Sequence, residues 1–198
     1  MALSEKFQEA LVFATEVHAT QVRKGTSIPY ASHLLIVAGY VLDHGGSESE
    51  AIAALLHDAV EDQGGLARAK EIRERFGPEV EEIVKACSDT HSVPKPPWRE
   101  RKEAYLRRLE AASSSARRVS AADKLHNARA ILRDLRAKGD ALWDRFNGRR
   151  DGTLWYYRAL ADTFRTLGGG PLADELNRVV AEIETIAGDT TVATTGER

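Results

Sequence analysis

The sequence predicts an all-α protein, a compact multi-helix bundle. Three observations predict it. Apolar residues recur at spacings of three and four along nearly the whole chain. No run of alternating β-branched residues is long enough for a strand. The interruptions fall at Gly, Pro or Ser clusters that suit helix ends. No internal repeat is present.

In residues 5–19, Phe7, Leu11, Ala14, Val17 and His18 lie on one helical stripe, and Ser4 is placed to cap it. Gly25 to Pro29 breaks the pattern and reads as a loop. The stripe resumes over 31–43 with Leu34, Val37, Ala38 and Val41, and His44-Gly45-Gly46 ends it. Ser47 and Glu50 form a capping box ahead of the apolar run AIAALL, which predicts a helix over 48–59. After Gln63-Gly64-Gly65, a helix over 66–76 stops at Gly77. Pro78 then suits the first position of a helix over 78–88. Pro94, Pro96 and Pro97 make 93–97 a loop. Residues 98–112 and 114–138 are helical, with a break near Ser113. Helices over 151–167 and 171–187 flank Gly168-Gly169-Gly170. The remainder, GDTTVATTGER (188–198), is small, polar and non-periodic. It is expected to be a disordered tail behind one domain over 1–187.

The 28 Lys and Arg nearly balance the 30 Asp and Glu, so the chain lacks the basic excess of a dedicated nucleic-acid binder. Cys87 is the only cysteine, which excludes an internal disulfide and a CxxC site and fits a reducing, cytoplasmic location. The N-terminus places Glu5, Lys6 and Glu9 where a signal peptide needs apolar residues. No apolar run is long enough to span a membrane. Charge is segregated: net −7 over 43–89 and net +8 over 95–138. Either two solvated helix faces attract each other, or a basic wall faces an acidic centre and suits an anionic substrate.

Three places offer His or Asp at the edge of an apolar helix. In LLHDAVED (55–62), His57, Asp58, Glu61 and Asp62 crowd together directly after buried-type residues. Such charges either point into water or need a partner, and a divalent cation would relieve the repulsion between carboxylates. His33, in PYASHLL, is either a satisfied core residue or a ligand. Asp123, in AADKLHNARAIL, has Asn127 one turn away and is either an ion-pair partner of Lys124 or Arg129 or a ligand. Taken together, two imidazoles and two carboxylates suit a mixed nitrogen and oxygen site for Mn, Fe, Zn or Mg.

The order H…HD…D in an all-α chain resembles the HD-domain metal-dependent phosphohydrolases. HATQVRKGTSIPYASH, LLHDAVED and SAADKLHNAR together resemble the hydrolase domain of RelA/SpoT-type alarmone enzymes, over roughly residues 5–165. That resemblance implies an HD-domain bundle acting as a small alarmone hydrolase. It implies that His33, His57, Asp58 and Asp123 hold Mn²⁺, and that Glu61 and Asp62 position or deprotonate the attacking water. Arg23 and Lys24 would hold the nucleotide, Asn127 its ribose, and Tyr156 or Tyr157 an edge of the substrate; the alternative for the two tyrosines is a core stripe with Trp155 and Leu160. The implied reaction removes the 3′-diphosphate of (p)ppGpp. The chain departs from the family pattern in a loop one residue longer between Arg23 and His33, in Leu34 for a common Pro, and in Ala130 for a common hydroxyl residue. The alternatives are another phosphorylated nucleotide such as NADP(H), or a non-catalytic nucleotide-binding module. The expected partner is a small-molecule nucleotide, with no nucleic acid or membrane. His126 is read as a second-layer or structural residue; His18, His44 and His91 receive no role.

Overall fold

The computed structural model describes residues 2–90 and 94–195, with side chains as far as Gly188. The helices run α1 (Glu5–Val17), α2 (Ala31–Asp43), α3 (Glu48–Leu56), α4 (Ala59–Asp62), α5 (Gly65–Phe76), α6 (Pro78–Cys87), α7 (Trp98–Ala111), α8 (Ser114–Lys138), α9 (Arg149–Thr166) and α10 (Pro171–Thr195). Among the described residues there is no strand, only an isolated antiparallel bridge between Val22 and Pro29. None of these helices is long and apolar enough to cross a membrane.

Local chemistry explains most helix ends. The Ser4 hydroxyl accepts the Lys6 N–H, and Ser113 does the same for Ala116 at the start of α8. Ser47 and Glu50 satisfy each other's backbone N–H groups, a complete capping box. Pro78 occupies the first turn of α6.

α3 is the innermost element: every residue from Ala51 to Leu56 is buried. Ile52, Leu55 and Leu56 there each contribute about 1.5–3 kcal/mol of apolar burial. α3 packs on α1, α2, α6 and α8, while α8 also carries α10 along its length. The N-terminus of α2, the C-terminus of α3 and the middle of α8 are thereby brought to one point.

One expectation is corrected, and two elements go beyond the sequence reading. The helix over 48–59 is not continuous: α3 stops at Leu56, His57 and Asp58 form a turn, and α4 restarts at Ala59. On an unbroken helix, neighbouring side chains diverge by about 100°. The turn lets two consecutive residues face one centre. A 3₁₀ helix over Gly139–Arg145, absent from the periodicity, buries Leu142 and Trp143 after α8. The last helix is assigned from Pro171 to Thr195, into the segment read from the sequence as a tail over 188–198. Among the residues whose side chains are described, Ala187 is the last that this helix gives to the core. Residues 196–198, His91 and Val93 lie outside the described residues.

Candidate metal centre and nucleotide cavity

The turn after α3 decides the orientation of His57. Its Nδ1 lies 2.8 Å from the Ala54 carbonyl, which only accepts, so Nδ1 carries a proton, and in the neutral ring the lone pair is on Nε2. That lone pair meets three other donors. His57 Nε2 is 3.0 Å from Asp58 Oδ2, 3.6 Å from Asp123 Oδ1 and 3.2 Å from His33 Nε2. His33 Nε2 is 3.2 Å from Asp123 Oδ1 and 3.6 Å from Asp58 Oδ2. Donors about 2.1 Å from a shared ion stand about 3.0 Å apart at right angles and about 3.4 Å apart at the tetrahedral angle. The spacing of His33, His57 and Asp58 therefore suits one small divalent cation, with Asp123 Oδ1 beside His33 as a fourth donor.

Electrostatics agree with the geometry. Burial acts to depress the His57 imidazolium, yet the neighbouring Asp58 and Asp123 outweigh it and hold its pKa well above the usual value. Burial likewise opposes ionisation of Asp58 and Asp123. The His57 charge keeps Asp58, and the Lys124 charge keeps Asp123, well below the ordinary carboxylate range. Two ionised carboxylates and two imidazoles are a donor set that a divalent cation satisfies.

An outer layer holds each donor. The Tyr30 hydroxyl donates to Asp58 Oδ2 at 2.5 Å. Lys124 Nζ donates to Asp123 Oδ2 and Asn127 Nδ2 to Asp123 Oδ1, both at 2.5 Å. Arg23 in turn donates to the Asn127 side-chain oxygen at 2.5 Å and lies over the Tyr30 ring. His33 Nδ1 lies 2.6 Å from His126 Nδ1. Burial, with the nearby His33 and Arg23, pushes the His126 pKa down to about 3.

Two cavities adjoin the centre. The smaller, about 250 Å³, is polar and lined by Asp58, Glu61, Asp62, Asp123, Lys102, Lys124 and Tyr156, among others. The Tyr156 hydroxyl is buried without a hydrogen-bond partner and borders this space. The larger, about 420 Å³, is lined by Arg23, Lys24, Ile28, His126, Arg133 and Tyr157, among others, a size that suits a small-molecule ligand. Arg23, Tyr30, Asp62 and Asn127 border both.

The structure thus brings His33, His57, Asp58 and Asp123 together and places Glu61, Asp62, Arg23, Asn127 and Tyr156 around them. Glu61 is already engaged: its carboxylate accepts the Asp89 N–H at 2.8 Å and Lys95 Nζ at 2.9 Å. Asp62 accepts from Gln21 at 2.8 Å; burial and the Asp58 charge raise its pKa. Lys24 is exposed on the rim of the larger cavity. Of the two tyrosines, Tyr156 faces the polar cavity and Tyr157 the larger one. The basic segment does meet the acidic one here: Lys124 pairs with Asp123, Lys102 and Arg101 with Asp89, and Lys95 with Glu61.

Sequence reasoning gave no role to Tyr30 or Gln21, named Lys124 only as a candidate ion-pair partner of Asp123, and did not single out Lys102 within the basic segment. Tyr30 had a signal, since it stands three residues before His33; Gln21 had none. His18, also given no role, stacks on Tyr30 at 5.1 Å and lies 2.7 Å from Gln21 Oε1, so it helps set both.

Residues 10–154 match the HD-domain family. A guanosine-3′,5′-bis(diphosphate) 3′-pyrophosphohydrolase MESH1 from Xenopus tropicalis is 40% identical over 131 residues, 65% of this chain and 68% of that one. Its namesake from Drosophila melanogaster is 32% identical over 165 residues, 82% of this chain and 86% of that one. A solved structure described as a metazoan orthologue of SpoT that hydrolyses ppGpp superposes with a TM-score of 0.76 at 28% identity, covering 92% of this chain and 97% of that one.

Proposed function

The chain belongs to the HD-domain family, and from that premise we propose that it is a divalent-metal-dependent pyrophosphohydrolase removing the 3′-diphosphate of (p)ppGpp. Water enters, the bond between the 3′ oxygen and its phosphorus breaks, and GDP or GTP leaves with pyrophosphate. The observation that carries this reading is the convergence of His33, His57, Asp58 and Asp123 between a polar cavity and a larger, nucleoside-sized one. The similarity to pyrophosphohydrolases over most of the chain supports it.

Each residue's work follows from its place. His33, His57, Asp58 and Asp123 hold the cation, which we take to be Mn²⁺. A divalent cation there supplies Lewis-acid stabilisation of the charge that develops on the phosphoryl oxygens. Asp62, its pKa raised but its carboxylate supported by Gln21, orients water and accepts its proton. Glu61 ties Asp89 and Lys95 to the same wall and completes the acidic side of the cavity. Lys102, Lys124 and the Tyr156 hydroxyl face the incoming diphosphate. Arg23, Lys24 and Asn127 border the cavity assigned to the nucleoside, where a planar guanidinium suits a purine face. The reading takes 1–187 as one hydrolase domain working in the cytoplasm.

The test is product analysis on metal-stripped protein reloaded with Mn²⁺ and offered ppGpp, NADPH or GMP. The reading expects GDP and pyrophosphate from ppGpp as the preferred reaction. Turnover of NADPH alone, or of nothing while Mn²⁺ is bound, overturns it.

A further inference from the structure

His33 turns one nitrogen to the metal centre and the other to a second imidazole. The two Nδ1 atoms are 2.6 Å apart, with ring centroids at 4.8 Å. One proton lies between them, and its owner decides what His33 offers. If His126 donates, His33 carries its proton on Nε2, and an N–H points at the centre instead of a lone pair. If His33 donates, its Nε2 lone pair faces His57, Asp58 and Asp123.

His57 faces no such ambiguity, because its Nδ1 meets a backbone carbonyl. For His33 the deciding group is His126, three residues after Asp123 on α8 and half-buried against the larger cavity. Nothing in the notation H…HD…D marks this position, and the contact joins residues 93 apart in sequence.

We propose that His126 is a positioning residue of the metal centre: it accepts the Nδ1 proton of His33 and so fixes the tautomer that presents a lone pair at Nε2. The inference rests on the reading that His33, His57, Asp58 and Asp123 bind one divalent cation. Partners that orient a ligating imidazole are worth about 10–100-fold in metal affinity.

The experiment is Mn²⁺ binding by titration calorimetry on the full metal-stripped chain, with thermal unfolding of each metal-free variant as a check of folding. His126→Phe keeps the ring and removes the acceptor. His126→Gln stays polar but carries its oxygen near the place of Nε2. His126→Asn puts an oxygen near the place of Nδ1. The expected result is a loss of about 10–100-fold in Phe and Gln, and affinity within about threefold of wild type in Asn. Wild-type affinity in Phe or Gln overturns the proposal, and so does equal weakening in all three variants. Asp58→Ala serves as the reference: undiminished affinity there overturns the ligand assignment itself, a failure separate from that of His126.

Discussion

Tyr30 donates its hydroxyl proton to Asp58 Oδ2 across 2.5 Å, and the same oxygen lies 3.0 Å from His57 Nε2. One side chain from the loop before α2 thus aims a carboxylate supplied by the turn after α3. Burial and the Asp58 charge raise the Tyr30 pKa, so the phenol remains a donor across the working pH range. Tyr30→Phe keeps the ring that stacks on His18 but frees Asp58 to rotate. Mn²⁺ affinity is expected to fall about tenfold, measured by calorimetry. An unchanged affinity would show that the turn alone orients Asp58.

Asp62 and Gln21 give a pH prediction with a definite sign. The Gln21 amide donates to the carboxylate, which favours the ionised form against burial and the Asp58 charge. Gln21→Leu removes that donor and raises the Asp62 pKa further. Proton acceptance needs the carboxylate, so the acid limb of kcat/KM moves to higher pH, while the rate on the plateau changes little. Asp62→Asn should lower kcat about 10²–10⁴-fold with Mn²⁺ affinity retained. An acid limb that stays in place in Gln21→Leu would assign that limb to another group.

The indole of Trp98 docks α7 on α9. It lies so close to Gly148 that a Cβ there would sit 2.6 Å from its Cη2, and a Cβ on Gly152 would sit 3.1 Å from its Cζ3. α7 carries Lys102 and α9 carries Tyr156, and both face the polar cavity. Gly148→Ala must push the indole out, at a cost of about 1–3 kcal/mol in stability. The account expects lower kcat with ppGpp and normal Mn²⁺ affinity, because the four donors lie on other elements. A steady-state assay beside calorimetry checks the split; weakened metal binding would contradict it.

Gly25 shapes the loop that carries Arg23 and Lys24 in two ways. Its φ of +72° lies in the left-handed region, and a Cβ there would meet Arg145 Cδ at 2.8 Å. Arg145 is held from behind by Asp134 at 2.6 Å. Gly25→Ala therefore displaces Arg23 and Lys24 relative to the larger cavity. KM for ppGpp is expected to rise about tenfold, with kcat nearly kept. A change in kcat alone would place the loop's role in the chemical step.

Much of this was readable from local chemistry. α2 and α8 begin and end where glycines, serine caps and apolar stripes put them. His33, His57, Asp58 and Asp123 could be picked out as candidates because each stands at the edge of an apolar helix. The break at His57–Asp58 was not, since the periodicity of AIAALL runs on through Ala59 and Val60. Only the requirement that two neighbours face one centre reveals it. Tyr30–Asp58, Gln21–Asp62 and His33–His126 join residues 28, 41 and 93 positions apart, and no local pattern records such pairs. The engagement of Glu61 by Lys95 depends on a proline-rich loop with no periodicity at all.

The most direct measurement is ppGpp turnover as Mn²⁺ is titrated into metal-free protein, with Asp58→Ala in parallel. The account predicts no pyrophosphate release without the ion, activity that saturates at one Mn²⁺ per chain, and no recovery in the variant. Full turnover by the metal-free protein, or undiminished turnover by Asp58→Ala, would contradict it.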